Sequence, residues 1–151
     1  MEAPKPYYYN KDDDSYIVFI KSLAKNIVVR GAENNQTILD GTGLPASIAT
    51  FSGGEPATAG LENLVFRNGT VGSLIYKGAL FKVGGAVYGL NSSAFIRNCR
   101  FEQNEADFGG AVYLLHCDAA IDACVFAGNE AFAEGGGVLA YECSGSVRAS
   151  D

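Results

Sequence analysis

The strongest constraint on this chain is that it repeats itself. Gly84-Gly85-Ala86-Val87-Tyr88 returns as Gly109-Gly110-Ala111-Val112-Tyr113, 25 residues later (109 − 84 = 25). It returns again as Gly135-Gly136-Gly137-Val138-Leu139, after a further 26 (135 − 109 = 26). A second motif lies between the copies. The segment from Ile96 to Ala106 contains Cys99, Phe101, Asn104 and Glu105; the segment from Ile121 to Ala131 repeats it with Cys124, Phe126, Asn129 and Glu130. Weaker copies run from Leu61 to Gly69 and from Ala24 to Gly31, matched through Asn63 and Asn26. A period this short excludes paired-helix repeats, which need about 33 residues or more. Each unit holds short β-type runs split by Gly, Asn and Ser, and none carries a helix-length apolar stripe. Recurring Leu-x-x-Leu-x-Leu, the mark of leucine-rich repeats, is absent. The pattern predicts an all-β parallel solenoid, in which equivalent residues stack in ladders about 4.8 Å apart.

The ladders have a physical reading. Cys99 and Phe101 lie two apart, as do Cys124 and Phe126, so each pair shares a strand face, expected to be the inner one. Asn63 and Asn98 precede those strands and suit a tight turn, because Asn tolerates the left-handed region. Asn104 and Asn129 are expected to stack at a bend and to satisfy backbone groups there. The pairs Gly84-Gly85, Gly109-Gly110 and Gly135-Gly136 open the next strand, where the chain turns sharply without a Cβ.

At the level of the whole chain, residues 1–15 are polar and Tyr-rich and read as a tail or cap, and the repeats occupy 16–151. Aligning Asn26, Asn63, Asn98 and Ala123 implies insertions in the first two units, one in 46–59 and one in 71–83. The last unit begins at Cys143 and stops before another Phe-x-x-Asn. The expectation is therefore a truncated solenoid of about four to five coils, or one whose open end is covered by further coils of the chain or by a capping partner. The 151 residues suffice for one domain. With 11 Lys+Arg against 17 Asp+Glu, the formal net charge is −6, which argues against nucleic acid or an anionic membrane surface as partner. No apolar run is long enough to span a bilayer, and no signal-peptide pattern opens the chain.

Phe-x-x-Asn at 101–104 and 126–129, alternating with Gly-Gly-Ala-Val at 84–87 and 109–112, resembles the repeats of chlamydial polymorphic outer-membrane proteins. These belong to the wider pectin-lyase-like group. The segments Ile27 to Gly31 and Thr37 to Gly41 are similar to the opening coils of that group. The resemblance covers roughly residues 16–151 and departs from the pattern at Gly69, where Asn is expected, and at Gly137, where Ala is expected. It implies a right-handed parallel β-helix at a cell surface or outside the cell, acting as an adhesive or structural module. It carries over no catalytic residue, cofactor or metal. A fragment of a carbohydrate-active β-helix enzyme, a polysaccharide lyase or glycoside hydrolase, is the alternative.

Several residues are candidates for function. Tyr88 and Tyr113 are equivalent and form an aromatic column on the strand surface, facing solvent if Val87 and Val112 point inward and buried in the opposite register. The inserted stretch from Leu74 to Phe81, with Tyr76 and Phe81, is either a partner-binding loop or a satellite of the core. Polysaccharide or a host or cell-surface protein is the partner such surfaces imply. Cys99/Cys124 and Cys117/Cys143 occupy equivalent positions. That permits two disulfides between successive units, or stacked free thiols acting as small core residues. Asp12-Asp13-Asp14 lacks the spacing of a calcium loop and reads as a solvated charge run. Glu105 and Glu130 are expected to stack, as an exposed acidic bend rather than a catalytic pair. His116, the only histidine, has no evident nucleophile partner.

Overall fold

The computed structural model describes residues 7–10, 15–18, 20–22, 25–33, 37–44, 46–70 and 74–149. Among these the secondary structure is strand, turn and bend, with no helix. The dominant pairing is parallel. One sheet stacks, in order, Val138–Tyr141, Val112–Leu115, Val87–Leu90, Ala49–Phe51 and Ile20–Ser22. A second stacks Val28–Arg30, Gly60–Glu62 and Phe95–Arg97 on the first half of Ala120–Ala127, with Ser146–Ala149 beyond it. A third stacks Thr37–Asp40, Leu64–Arg67 and Arg100–Glu102 on the second half of the same long strand. Glu105–Phe108 pairs with Glu130–Glu134 in a fourth, two-stranded sheet. The best-preserved units keep the expected register, with Val87 opposite Val112, Phe101 opposite Phe126 and Glu105 opposite Glu130.

The sheets meet at corners that need left-handed backbone, and the same sequence positions supply it each time. Gly84, Gly109 and Gly135 have φ of 57°, 61° and 70°. Asn91, His116 and Glu142 have 51°, 51° and 52°; Asn63, Asn98 and Ala123 have 58°, 51° and 53°; Asn68, Gln103 and Gly128 have 57°, 53° and 64°. Four corners of this kind recur from unit to unit, and Gly or Asn holds most of them because both enter the left-handed region at low cost. The second glycine of each pair has a separate role. A Cβ on Gly110 would lie 2.3 Å from the Glu130 carbonyl and 2.4 Å from that of Gly136.

The core lies between the sheets. Val87 and Val112 are fully buried, with Leu61, Ile96 and Ile121 on the next wall and Leu64, Cys99 and Cys124 beyond them. Leu39, Phe66, Phe101 and Phe126 form a column in which the three rings stack nearly parallel, at centroid distances of 5.1 and 4.9 Å. Each aromatic contact adds about 0.5–1.5 kcal/mol beyond the area it buries. Asn104 is fully buried at the bend and every polar group it brings is used. Its Oδ1 accepts from Gly69 N–H, its Nδ2 donates to the Phe66 carbonyl, and its own N–H donates to Asn129 Oδ1. Asn129 Nδ2 in turn donates to the Phe101 carbonyl. Gly69 takes the Asn position in the earlier unit because a Cβ there would lie 2.1 Å from the Gly85 carbonyl.

Two expectations are corrected. Asn26 is not the counterpart of Asn63: Val29 pairs with Leu61, and Thr37–Asp40 is the segment that stacks on Leu64–Arg67. A single matched Asn is a weak anchor, whereas Leu39 supplies the side chain that covers Phe66. The stretch 46–59 is not a plain insertion either, since Ala49–Phe51 is a regular strand preceded by fully buried Ile48. Its Gly-rich flanks conceal a short apolar run. At the start of the chain, Tyr7–Asn10 forms an antiparallel pair with Ser15–Val18 across the boundary expected between tail and repeats. Asp12, Asp13 and Asp14 lie outside the described residues.

Candidate binding groove

The strand from Val112 to Leu115 alternates as its sequence requires. Val112 and Leu114 point into the core, so Tyr113 and Leu115 point to the outer surface of the first sheet. The same holds for Leu139 and Tyr141 of the next strand, which pair with Tyr113 and Leu115. The register question for the tyrosines is thus answered by Val87 and Val112 at 0% exposure. Tyr88 and Tyr113 stack on the outer face with ring centroids 6.0 Å apart. Outward does not mean open, however. Tyr113 is only 7% exposed. Burial raises the phenol pKa of both tyrosines above its ordinary value, with a further contribution from the neighbouring tyrosine.

Beside Tyr113 in the lining of one groove lie Phe81 and Val83, from the stretch between the third sheet and the next Gly-Gly pair. Leu74–Tyr76 and Ala79–Phe81 form an antiparallel hairpin. Its two-residue turn places Lys77 and Gly78 at φ of 50° and 78°, the geometry that matches strand twist. The descending leg is tied to the fourth sheet. Lys82 N–H donates to the Asp107 carboxylate at 2.8 Å, Asp107 N–H donates back to the Lys82 carbonyl, and Val83 bridges to Phe108. Phe81 then meets Phe108 edge-on at 5.5 Å. The hairpin both packs and protrudes: Phe81 is half-buried against Phe108, while Leu80 is 67% exposed.

Between these parts runs a groove of about 580 Å³. Tyr113, Leu115, Leu139 and Tyr141 make its floor; Phe81, Val83, Phe108 and Glu134 make one wall; His116 and Glu142 close the far corner. The volume falls in the range of small-ligand sites, roughly 300–1,000 Å³. Among the described residues, neither Lys nor Arg lines it. His116 Nδ1 lies 3.0 Å from Glu142 Oε2, both residues being held at equivalent left-handed corners.

Of the residues expected to bind, Tyr113 and Phe81 line the groove, and Tyr88 extends its floor as the stacked neighbour of Tyr113. Tyr76 pairs with Ala79 in the hairpin backbone, and its side chain is not among those described. Glu134, Glu142 and His116 also line this groove, and the spacing of the repeat does not predict that they share it. A signal for the His116–Glu142 pair is present, since the two immediately precede Cys117 and Cys143, which the repeat already aligns. The four cysteines are free thiols. The buried Cys99 thiol is held above its ordinary pKa by its hydrogen bond to Cys124 and by burial, and burial raises Cys117. Glu105 and Glu130 pair along the fourth sheet, away from the groove lining. Among the described residues, no group of three or more His, Cys, Asp or Glu is placed to hold a metal ion. Among the same residues, no helix is long and apolar enough to cross a membrane. Comparison with protein-family models, with curated proteins and with solved structures gives no match to this chain.

Proposed function

We propose that the chain is a right-handed parallel β-helix of about four to five coils, and that it works as a non-catalytic binding module at a cell surface, for adhesion or assembly. The resemblance of its repeats to surface β-helix proteins supports the fold. The observation that carries the function is the aromatic groove of about 580 Å³ built across the outer face of a rigid stack. A parallel stack gives such a groove a stiff floor, so little ordering free energy opposes binding. The test is retention of the folded protein on an array of immobilised polysaccharides and peptides, compared with Phe81→Ser and Leu139→Gln. Both variants alter the groove without entering the core column, and circular dichroism checks their fold. Loss of retention in both supports the module; retention unchanged on every surface overturns it.

One observation favours a second reading. Glu134 and Glu142 line the same groove, and carbohydrate-active enzymes work with paired carboxylates. Under that reading, reducing ends or unsaturated products appear from a neutral or uronate-rich polysaccharide and vanish in Glu134→Gln or Glu142→Gln. Absence of turnover by folded protein removes it.

A further inference from the structure

We infer that the groove takes an alkyl cation presented by a protein: a lysine or arginine side chain on an extended segment of a partner. This rests on the binding-module reading and specifies its ligand. Three observations carry it. First, the charge in the groove is one-sided. Glu134 stands at one end and Glu142 at the other, with no Lys or Arg among the described residues between them, in a chain of net charge −6. Second, the surface between the carboxylates is aromatic and aliphatic. Tyr113 and Tyr141 present rings on the floor and Phe81 and Phe108 on the wall. Aromatic faces attract cations, and aliphatic walls accept the methylene stem that a lysine or arginine carries behind its charge. A neutral sugar would use the rings and leave both carboxylates without a charged partner; an anionic uronate would be repelled by them.

The third observation is the groove's direction. Its floor follows two adjacent strands, from the Glu134 end to the corner at His116 and Glu142. A strand advances about 3.3 Å per residue, so an extended segment lying along this floor can address both ends through side chains on one face. His116 has a defined part in this arrangement. It sits against Glu142 Oε2 at 3.0 Å and orients that carboxylate, leaving the other oxygen for the incoming cation. Tyr141, 57% exposed, and Glu142 leave the mouth open at this end.

The experiment is calorimetric titration of the intact chain with four probes. These are a capped hexapeptide of alternating leucine and lysine, the same peptide with norleucine for lysine, the same with glutamate for lysine, and free 1,5-diaminopentane. The lysine peptide is expected to bind. The norleucine peptide is expected to bind at least tenfold more weakly, the glutamate peptide not at all, and the diamine at least tenfold more weakly than the lysine peptide. Glu142→Gln and Glu134→Gln should each weaken the lysine peptide several-fold and reduce the salt dependence of its binding. Equal affinity for the norleucine and lysine peptides overturns the cation and leaves the module intact. Equal affinity for the diamine overturns the protein-borne source. Binding of a neutral saccharide in place of any peptide overturns the ligand class alone. Should neither peptides nor polysaccharides bind, the module itself falls with it.

Discussion

Ala123 holds a left-handed corner without a side chain that eases that conformation. It stands at φ 53° in a column whose other members are Asn63 and Asn98, and Asn98 Nδ2 already donates to Asn63 Oδ1 at 2.7 Å. Left-handed backbone costs an L-residue with a Cβ roughly 1–2 kcal/mol, less for Asn, whose side chain bonds locally. Ala123→Asn is therefore expected to add about 0.5–1 kcal/mol and raise Tm by about 1–4 °C, while Ala123→Val lowers it. A thermal melt followed by circular dichroism decides, and equal Tm for all three would refute the account of the corner. Asp40 gives a second residue-level expectation. Burial pushes its carboxyl pKa up, but hydrogen bonds from Thr42, Arg67 and Asn68 outweigh this and hold it below its ordinary value. A carboxyl depressed in the folded state stabilises the protein above its unfolded pKa, and the contribution is lost as pH falls through the folded value. From about pH 4 downward, wild type should lose stability more steeply than Asp40→Asn. Parallel curves of Tm against pH would contradict this.

At the scale of the elements, the Gly-Gly corner is where local sequence and packing meet. The first glycine turns the chain and the second lets three backbones approach. Because a Cβ on Gly110 would meet two carbonyl oxygens within 2.4 Å, Gly110→Ala requires backbone movement and should cost about 3 kcal/mol or more. Gly137, the departure from Gly-Gly-Ala, is a different case. A Cβ there meets Phe126 at 3.5 Å, an ordinary contact, and its φ is not positive. Gly137→Ala should then stabilise by about 0.4–1 kcal/mol, by restricting the unfolded chain. Urea denaturation of the two variants should move the midpoint in opposite directions; a shared direction would show that the corner is governed by something other than close approach. The hairpin from Leu74 to Phe81 owes its turn to Lys77-Gly78, but its attachment is made by Asp107, a residue of another unit. No local pattern in 74–81 announces that contact.

For the whole molecule, a stack of repeats makes stability a matter of neighbours. Phe66 and Phe101 are fully buried between flanking units, whereas Phe126 is only partly buried and Val147 is 53% exposed. Hydrogen exchange should accordingly be slowest for amides of Phe95–Arg97 and Arg100–Glu102 and faster for those of Val138–Tyr141 and Ser146–Ala149. Uniform protection along the chain would mean that it opens as one unit rather than from its last strands. The parallel register of the central units, the inward Cys and Phe, the Asn bend and the Gly-Gly corners were all legible from residue spacing. A repeat forces equivalent residues into equivalent environments, so one good match carries its neighbours with it. The first unit is the exception, because its Asn26 matches the pattern while Val29 and Leu39 supply the packing against Leu61 and Phe66. The ladder is written in the residue order alone: which residues recur, and hence which stack. The groove, by contrast, exists only once the units are packed. Phe81, Phe108, Glu134 and Glu142 come from the hairpin, the fourth sheet and a corner, and Phe81 joins them because the hairpin is tied to the fourth sheet through Phe108 and Asp107. That convergence depends on contacts between units at no fixed spacing, and periodicity does not encode them.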